Sequence, residues 1–309
     1  MMNEYKSSES IRILITADEN YIPPLKVLLT SLRISNPQDE ITTYLMHRSI
    51  PEEKQKELMR LCEKLRLVFI PIKVGEKIFS QAPVMKQYPR EMYFRLLAPH
   101  FLPSDIRRVL YLDPDTLIIN PLRPLWETDM KGCLFAAAAH TGSTEVANHI
   151  NRIRLKTKHN YFNSGVLLID LSLGRRQIKA DEIFRFIADH KGTLILPDQD
   201  VLNILYGSMT LEIDDYLWNY DAQKYANYFI RSAGKANTEW VMQNTAILHF
   251  CGKAKPWNKG YPYRFGTLYR HYMNLAYRLE TPSRLEYKEA ACIGKNLTRS
   301  KKLADTCGT

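Results

Sequence analysis

The sequence predicts an α/β protein made of βαβ units around a largely parallel sheet. Short β-branched runs alternate with amphipathic helical stretches from Ile11 to Leu112. An acidic pair ends one apolar run, where open α/β sheets gather their ligands. No internal repeat or low-complexity linker breaks the pattern.

The elements follow in order. Residues 11–17 (IRILITA) are apolar and β-branched and read as a buried strand. Pro23 and Pro24 suit a first helical turn, where a missing N–H costs nothing. Leu25, Leu28, Leu29 and Leu32 then recur at helical spacing on one face, and Asn36-Pro37 ends the helix. Residues 41–46 form a second strand. Pro51 opens a helix with Leu58, Leu61, Cys62 and Leu65 inward, and residues 67–72 form a third strand. Helical residues 91–97 lead to a fourth strand, residues 107–112, ending at Asp113-Pro114-Asp115. Residues 133–139 and 162–171 read as core strands. Residues 181–190 read as an amphipathic helix, residues 199–206 as a short one, and residues 245–250 as the strand that closes the body. Beyond Trp257 the chain turns aromatic and basic, with Tyr269, Tyr272, Met273, Leu275, Ala276 and Leu279 on one helical face.

Composition narrows the class. The chain has 309 residues, 45% hydrophobic and 25% charged, which excludes disordered, collagenous and disulfide-scaffold proteins. The net charge of +10 suggests an anionic partner. Its distribution matters more. From Lys253 onward 12 Lys/Arg face 4 Asp/Glu, whereas the first 252 residues hold 31 against 29. The body is nearly neutral and the tail is basic. Five widely spaced cysteines without C-x-x-C argue against a disulfide framework or zinc ribbon and favour a reducing compartment. Residues 1–10 lack the apolar core of a signal peptide, and no apolar run approaches the ~20 residues that span a bilayer. A cytoplasmic protein is expected.

Five motifs carry chemistry. Asp113 and Asp115 can hold a hard divalent cation that shares substrate phosphates, although a solvated surface loop is the plain alternative. A phosphohydrolase of the haloacid dehalogenase type, with Asp113 as nucleophile, is a rival. It fits poorly, because Leu117 stands where that motif has Thr or Val, and because that motif belongs on the first strand. Ala17-Asp18-Glu19-Asn20-Tyr21 offers a carboxylate, an amide and an aromatic face after the first strand; by itself a helix cap is the simpler reading. Residues 161–170 (YFNSGVLLID) place Asn163 and Ser164 before Gly165, where backbone can approach a ligand. Residues 197–203 (PDQDVLN) cluster short polar side chains at a helix start, and Asp198 could simply cap it. In residues 249–257 (HFCGKAKPW), His249 offers a third metal ligand, Gly252 a close backbone approach and Lys255 a cation for phosphate. A lone His is more often structural; the neighbouring Gly and Lys residues favour a site. No P-loop, G-x-G-x-x-G, H-E-x-x-H or G-x-S-x-G occurs, and no aromatic RNA-binding platform is evident.

In this order, together with Tyr93-x-Arg95-Leu96, these motifs resemble the family 8 retaining glycosyltransferases. The resemblance runs from Ile11 to about Trp257. It implies the GT-A fold, a single Rossmann-like mixed sheet flanked by helices, with a basic helical C-terminal tail. The expected division is residues 1–257 for the glycosyltransferase domain and 258–309 for a tail that could rest on an anionic membrane. The implied reaction is metal-dependent transfer of a hexose, galactose or glucose, from a UDP-sugar to a glycan or glycolipid acceptor. Lipopolysaccharide or another envelope glycan is the favoured acceptor, with no nucleic-acid partner.

The resemblance also assigns roles. Asp113, Asp115 and His249 would ligate Mn²⁺, with Mg²⁺ the alternative. Ala17, Asp18, Asn20 and Tyr21 would bind uracil and ribose, and Gly252 and Lys255 the phosphates. Arg95, Asn163, Asp198 and Gln199 would face the sugar, Gln199 giving electrostatic support near the anomeric carbon. His140-Thr141-Gly142 departs from the acid that related sequences carry there. Arg152, Arg154, Lys156 and Lys158 read first as a solvated basic face, with an anionic acceptor as the alternative. A non-enzymatic basic adaptor is the remaining rival, and the near-neutral body argues against it.

Overall fold

The computed structural model describes residues 9–75, 93–139, 152–190 and 194–280. His140, Thr141 and Gly142 lie outside these residues.

A seven-stranded sheet forms the centre, in the order β3-β2-β1-β4-β7-β6-β8. Its strands are β1 (Ile11–Thr16), β2 (Ile41–His47), β3 (Val68–Lys73), β4 (Arg108–Leu112), β6 (Phe135–Ala139), β7 (Phe162–Asp170) and β8 (Thr210–Ile213). The first four strands are parallel, β7 runs antiparallel to both β4 and β6, and β8 is parallel to β6. The mixed α/β sheet is therefore the one expected.

Both faces of the inner strands are covered, so β1, β4 and β6 are buried almost throughout, whereas the edge strands β3 and β8 are partly exposed. Along β1, Leu14 belongs to one apolar layer, and Ile11, Ile13 and Ile15 to the other. Val109 and Tyr111 of β4 face the first layer, and Leu110 and Leu112 the second. Helices α1 (Ile22–Ser35) and α2 (Glu52–Lys64) cover the second layer with the predicted Leu25, Leu28, Leu29, Leu32, Leu58, Leu61 and Cys62. Pro71 sits in β3, an edge strand, where a missing donor is tolerated.

A second, smaller sheet stands beside the first. It joins β5 (Thr116–Ile118), β9 (Tyr220–Asp221) and β10 (Ile247–His249), with β10 antiparallel to β5 and parallel to β9. The strand predicted at 245–250 is thus present but shorter, and it forms the centre of this small sheet instead of joining the large one.

Strand direction positions the site. Parallel pairing of β1 with β4 brings Thr16 and Leu112 to one end of the sheet. Antiparallel β7 starts at that same end, because Leu112 pairs with Val166 and the Asp113 amide donates to the Gly165 carbonyl at 2.8 Å. The register of β10 on β5 places His249 opposite Thr116, one residue past Asp115.

The tail joins the body. Tyr261, Phe265 and Tyr269 are buried with Leu117, Tyr220, Leu248 and Phe250 in a third apolar cluster, so a boundary after Trp257 cuts through a shared core. Helix α11 (Gly266–Glu280) runs against α1 and is fastened at its end. Lys64 Nζ donates to the Leu279 carbonyl at 2.9 Å, and Lys26 pairs with Glu280. Among the described residues, no helix is long and apolar enough to cross a membrane.

Candidate active site

The site lies at the carboxyl ends of β1 and β4, where the sheet reverses from parallel to antiparallel. Asp113 Oδ2, Asp115 Oδ1 and His249 Nε2 converge there, with ligand atoms all within 4.8 Å of one another. His249 Nε2 lies 3.3 Å from Asp115 and 3.8 Å from Asp113. Its Nδ1 meets the Asn219 side-chain oxygen at 2.9 Å. That oxygen can only accept, so Nδ1 donates to it and Nε2 is the nitrogen that faces the carboxylates. Burial would lower the imidazole, but its neighbours, Asp115 among them, raise it well above its ordinary value. Asp113 is fixed by the Tyr111 hydroxyl, which donates at 2.6 Å and also meets Thr16 Oγ1 at 3.0 Å. Burial alone would raise the Asp115 carboxyl. The neighbouring His249 and Lys255 outweigh it and hold Asp115 well below the usual carboxylate range.

Gly165 is required where these groups meet. A Cβ there would lie 2.2 Å from His249 Cε1 and 2.7 Å from Asp113 Oδ2. The close backbone approach expected for this glycine is therefore toward the side chains that converge on the cluster.

Arg95 holds the acids together from below. Its short helix α3 (Phe94–Leu97) is buried, and its guanidinium lies 3.0 Å from Asp113 Oδ1 and 3.3 Å from Asp198 Oδ2. It also donates to the Ser164 carbonyl at 2.9 Å and stacks on Tyr111, 4.6 Å from the ring centre. Ser164 Oγ donates to Asp198 at 2.9 Å. Burial raises the Asp198 carboxyl above its ordinary value, and Arg95 opposes this without cancelling it.

Gln199 belongs to the same network. Asp198 and Gln199 lie on α7 (Pro197–Val201), which continues as a π-helical turn, Leu202–Tyr206, in place of the single short helix predicted. Gln199 Oε1 accepts from Asn163 Nδ2 at 3.2 Å and from the Ser164 amide at 3.3 Å. Asn163 Oδ1 accepts from the Gly165 amide at 2.9 Å and from Asn219 Nδ2 at 3.0 Å. A polar chain thus links Gln199, Asn163, Asn219 and His249.

The loop after β10 brings the other groups. Lys255 Nζ donates to Asp115 Oδ2 and, at 2.9 Å, to the Phe250 carbonyl. Burial would lower its ammonium, but Asp115 outweighs that and raises it. Gly252 adopts φ +77°, the left-handed region that glycine enters freely, and is exposed. Lys255 lies 5.8 Å from the Trp257 ring, whose edge meets Tyr21 at 6.2 Å. Tyr21 therefore borders the acidic cluster, and Ala17, buried at the end of β1, leads to it. Asp18 does cap the next turn, accepting from the Asn20 amide at 2.8 Å. Asn20 stands exposed at the rim.

Arg95, Asp113, Asp115, Asn163, Asp198, Gln199, His249 and Lys255 are thus joined by direct contacts, while Ala17, Asp18, Asn20, Tyr21 and Gly252 stand on the segments that follow β1 and β10. Sequence reasoning missed Asn219 and Tyr111. Asn219 is fully buried within Leu-Trp-Asn-Tyr-Asp, and an amide amid aromatic residues was the available signal. The phosphohydrolase reading loses its footing. Leu117 is fully buried in β5, and the acidic pair follows the fourth strand, not the first.

A mixed sheet of this topology, with an acidic pair at the end of β4, belongs to the GT-A class of folds. Known proteins agree. The galactosyltransferase LgtC, solved in complex with donor and acceptor sugar analogues, superposes with a TM-score of 0.70 at 24% identity, covering 86% of this chain and 96% of LgtC. General stress protein A of Bacillus subtilis is 27% identical over 277 residues, 87% of this chain and 95% of the relative. Lipopolysaccharide 1,2-glucosyltransferase of Escherichia coli K12 is 26% identical, covering 82% of this chain and 74% of that enzyme. The glycosyl transferase family 8 model matches residues 12–260, and the chain belongs to that family. A non-enzymatic adaptor is thereby excluded as its whole role.

Proposed function

We propose that this enzyme moves a hexose, galactose or glucose, from its UDP-sugar to a glycan or glycolipid acceptor of the cell envelope, retaining the anomeric configuration. The observation that carries the reading is the convergence of Asp113, Asp115 and His249 beside Lys255. The named activities of similar proteins, a lipopolysaccharide glucosyltransferase and a galactosyltransferase, support the hexose and the glycan acceptor.

Two carboxylate oxygens and one oriented imidazole nitrogen suit Mn²⁺ or Mg²⁺; with Nδ1 engaged by Asn219, Nε2 is the nitrogen that would ligate, giving up its proton to do so. Such a cation, when bound, supplies Lewis-acid stabilisation of the diphosphate. The protein's own groups do the rest. Ala17, Asp18, Asn20 and Tyr21 bind uracil and ribose at the mouth of β1. Lys255 turns from Asp115 to the phosphates, and the bare Gly252 backbone lets them approach. Arg95, Asn163 and Asp198 orient the hexose.

Retention needs attack on the face that the diphosphate leaves. Gln199 carries an amide, a poor nucleophile, and Asp198 is held by Arg95 and Ser164. We therefore assign front-face attack. The acceptor hydroxyl adds as the sugar–phosphate bond breaks, and its proton passes to the departing phosphate oxygen. Gln199 offers its amide dipole to the developing oxocarbenium charge.

The test is UDP release from UDP-galactose and UDP-glucose with Mn²⁺, followed by NMR of the product anomer. Release that stops with EDTA and an unchanged anomeric configuration are expected. Full turnover in EDTA would overturn the metal assignment, and inversion would overturn the mechanism.

A further inference from the structure

Of the four cations in the basic stretch 152–158, Arg154 is spent inside the protein. Its guanidinium forks onto Asp200, with Nη1 2.9 Å from Oδ2 and Nη2 2.7 Å from Oδ1. Asp200 is fully buried, and it also accepts from the Tyr161 hydroxyl at 2.6 Å and the Ile195 amide at 2.8 Å. Both carboxylate oxygens are thus engaged. Lys156 and Lys158, by contrast, are exposed.

The helix that Asp200 sits on has little stability of its own. It is five residues long and gives way at once to a π turn, so ties from outside must hold it. There are two. On one side Asn203 bonds the Phe162 amide, the Phe162 carbonyl and the Gln199 carbonyl, each at 2.8 Å. On the other side Arg154 grips both oxygens of Asp200, with the Tyr161 hydroxyl beside it. Gln199 lies next to the gripped residue, so rotation of Asp200 about the helix axis would swing Gln199 and Asp198 with it. Arg154 comes from the segment 152–161 that feeds β7, whose Asn163 and Ser164 bond Gln199. The ion pair therefore closes a ring of chain around the Gln199 amide.

We propose that Arg154 is a positioning residue, whose ion pair with Asp200 fixes the rotation of helix 197–201 and so aims Gln199 and Asp198 at the sugar. This rests on the reading of those two residues as sugar-facing. It makes Asp200 a structural acid rather than a nucleophile. It also takes Arg154 out of any acceptor-binding surface.

The experiment compares the parent with Arg154→Met, Arg154→Lys, Asp200→Asn and the double variant R154M/D200N. In Arg154→Met, kcat should fall about 10- to 100-fold, the size of effect expected from a misplaced reacting group, with the KM for donor within about twofold. Calorimetric affinity for UDP with Mn²⁺ should stay at the parent value, because the nucleoside groups lie elsewhere. Amide exchange over residues 195–203 should quicken at least about tenfold while residues 11–21 keep their protection. Arg154→Lys should recover part of both effects, since a point charge can pair with one oxygen. The double variant leaves no unpaired buried charge, so it should fold even if Arg154→Met does not, and match Asp200→Asn in kcat. Parent-like kcat or exchange in Arg154→Met overturns the proposal, and so do additive losses in the double variant. If the parent transfers no hexose at all, the functional reading fails, and the exchange measurement still decides whether Arg154 holds the helix.

Discussion

The two regions proposed to hold the nucleoside and the reacting sugar are built by opposite means. On the nucleoside side, Asp18 spends its carboxylate on an amide two residues away, Asn20 is exposed, and Tyr21 leans on one neighbouring ring. On the transfer side, Arg95, Asp198, Asp200, Asn203, Asn219 and His249 are buried, and their bonds cross long stretches of chain. Arg95 reaches Ser164 across 69 positions, Asn203 reaches Phe162 across 41, and His249 reaches Asn219 across 30. The difference follows from what each end must do. A nucleoside is held by many modest contacts and tolerates an adaptable turn. A reacting carbon tolerates little displacement, and buried charges hold geometry only when every partner is present.

Four measurements can break or sharpen this contrast. The largest effect is expected at the acidic cluster. Asp115→Asn and His249→Ala should each cost at least about 10³-fold in turnover and abolish Mn²⁺ binding, with near-ultraviolet circular dichroism unchanged. Retained metal affinity in both variants would remove the cluster from the site. Next comes Arg95→Met, which strands Asp113 and Asp198 without their counter-charge. It should lower kcat by about 100-fold or more and stability by about 3–5 kcal/mol in urea melts. A nearly neutral outcome would show that the buried network is not needed for rigidity.

The nucleoside side should respond differently in kind. Asp18→Ala is expected to raise the donor KM about tenfold with kcat nearly unchanged, and to cost about 1 kcal/mol through the lost cap. A fall in kcat without a change in KM would erase the distinction between the two ends.

The last effect lies away from the site and touches stability alone, with turnover unchanged. Burial pushes the Asp215 carboxyl up to about 6, against the partial help of Arg231. The folded state therefore binds this proton more tightly than the unfolded chain, and stability falls as pH rises from about 4 through about 6. Asparagine mimics the protonated acid, so Asp215→Asn should gain about 2 kcal/mol relative to the parent between pH 4 and pH 7. A difference that does not vary with pH would place Asp215 in an ordinary exposed setting.

What could be read in advance follows the same divide. The helix of Leu25, Leu28, Leu29 and Leu32 and the apolar strands before Asp113 announce themselves, because burial on one face imposes a period on consecutive residues. Motif residues such as Asp113, Asn163 and Gln199 are legible because each sits at the end of such an element. Strands β5 and β9 span three residues and two, too few to display a period, so the small sheet stayed hidden. Asn219 and Arg154 act through partners 30 and 46 positions away, and no local pattern encodes that distance. Arg154 even stands among exposed lysines, so its surroundings in sequence suggest solvent.

The fastening of α11 onto α1 bears on how the chain folds as it is made. Val27 of α1 is buried in the cluster that Tyr269 completes, and Lys26 is paired with Glu280. Roughly 230 residues separate the two helices, and synthesis at about 5–20 residues per second puts roughly 10–50 s between them. For that interval the first βαβ unit must carry an open apolar seam on the ribosome. The sheet can assemble early, but its outer helix waits for a partner made roughly 230 residues later.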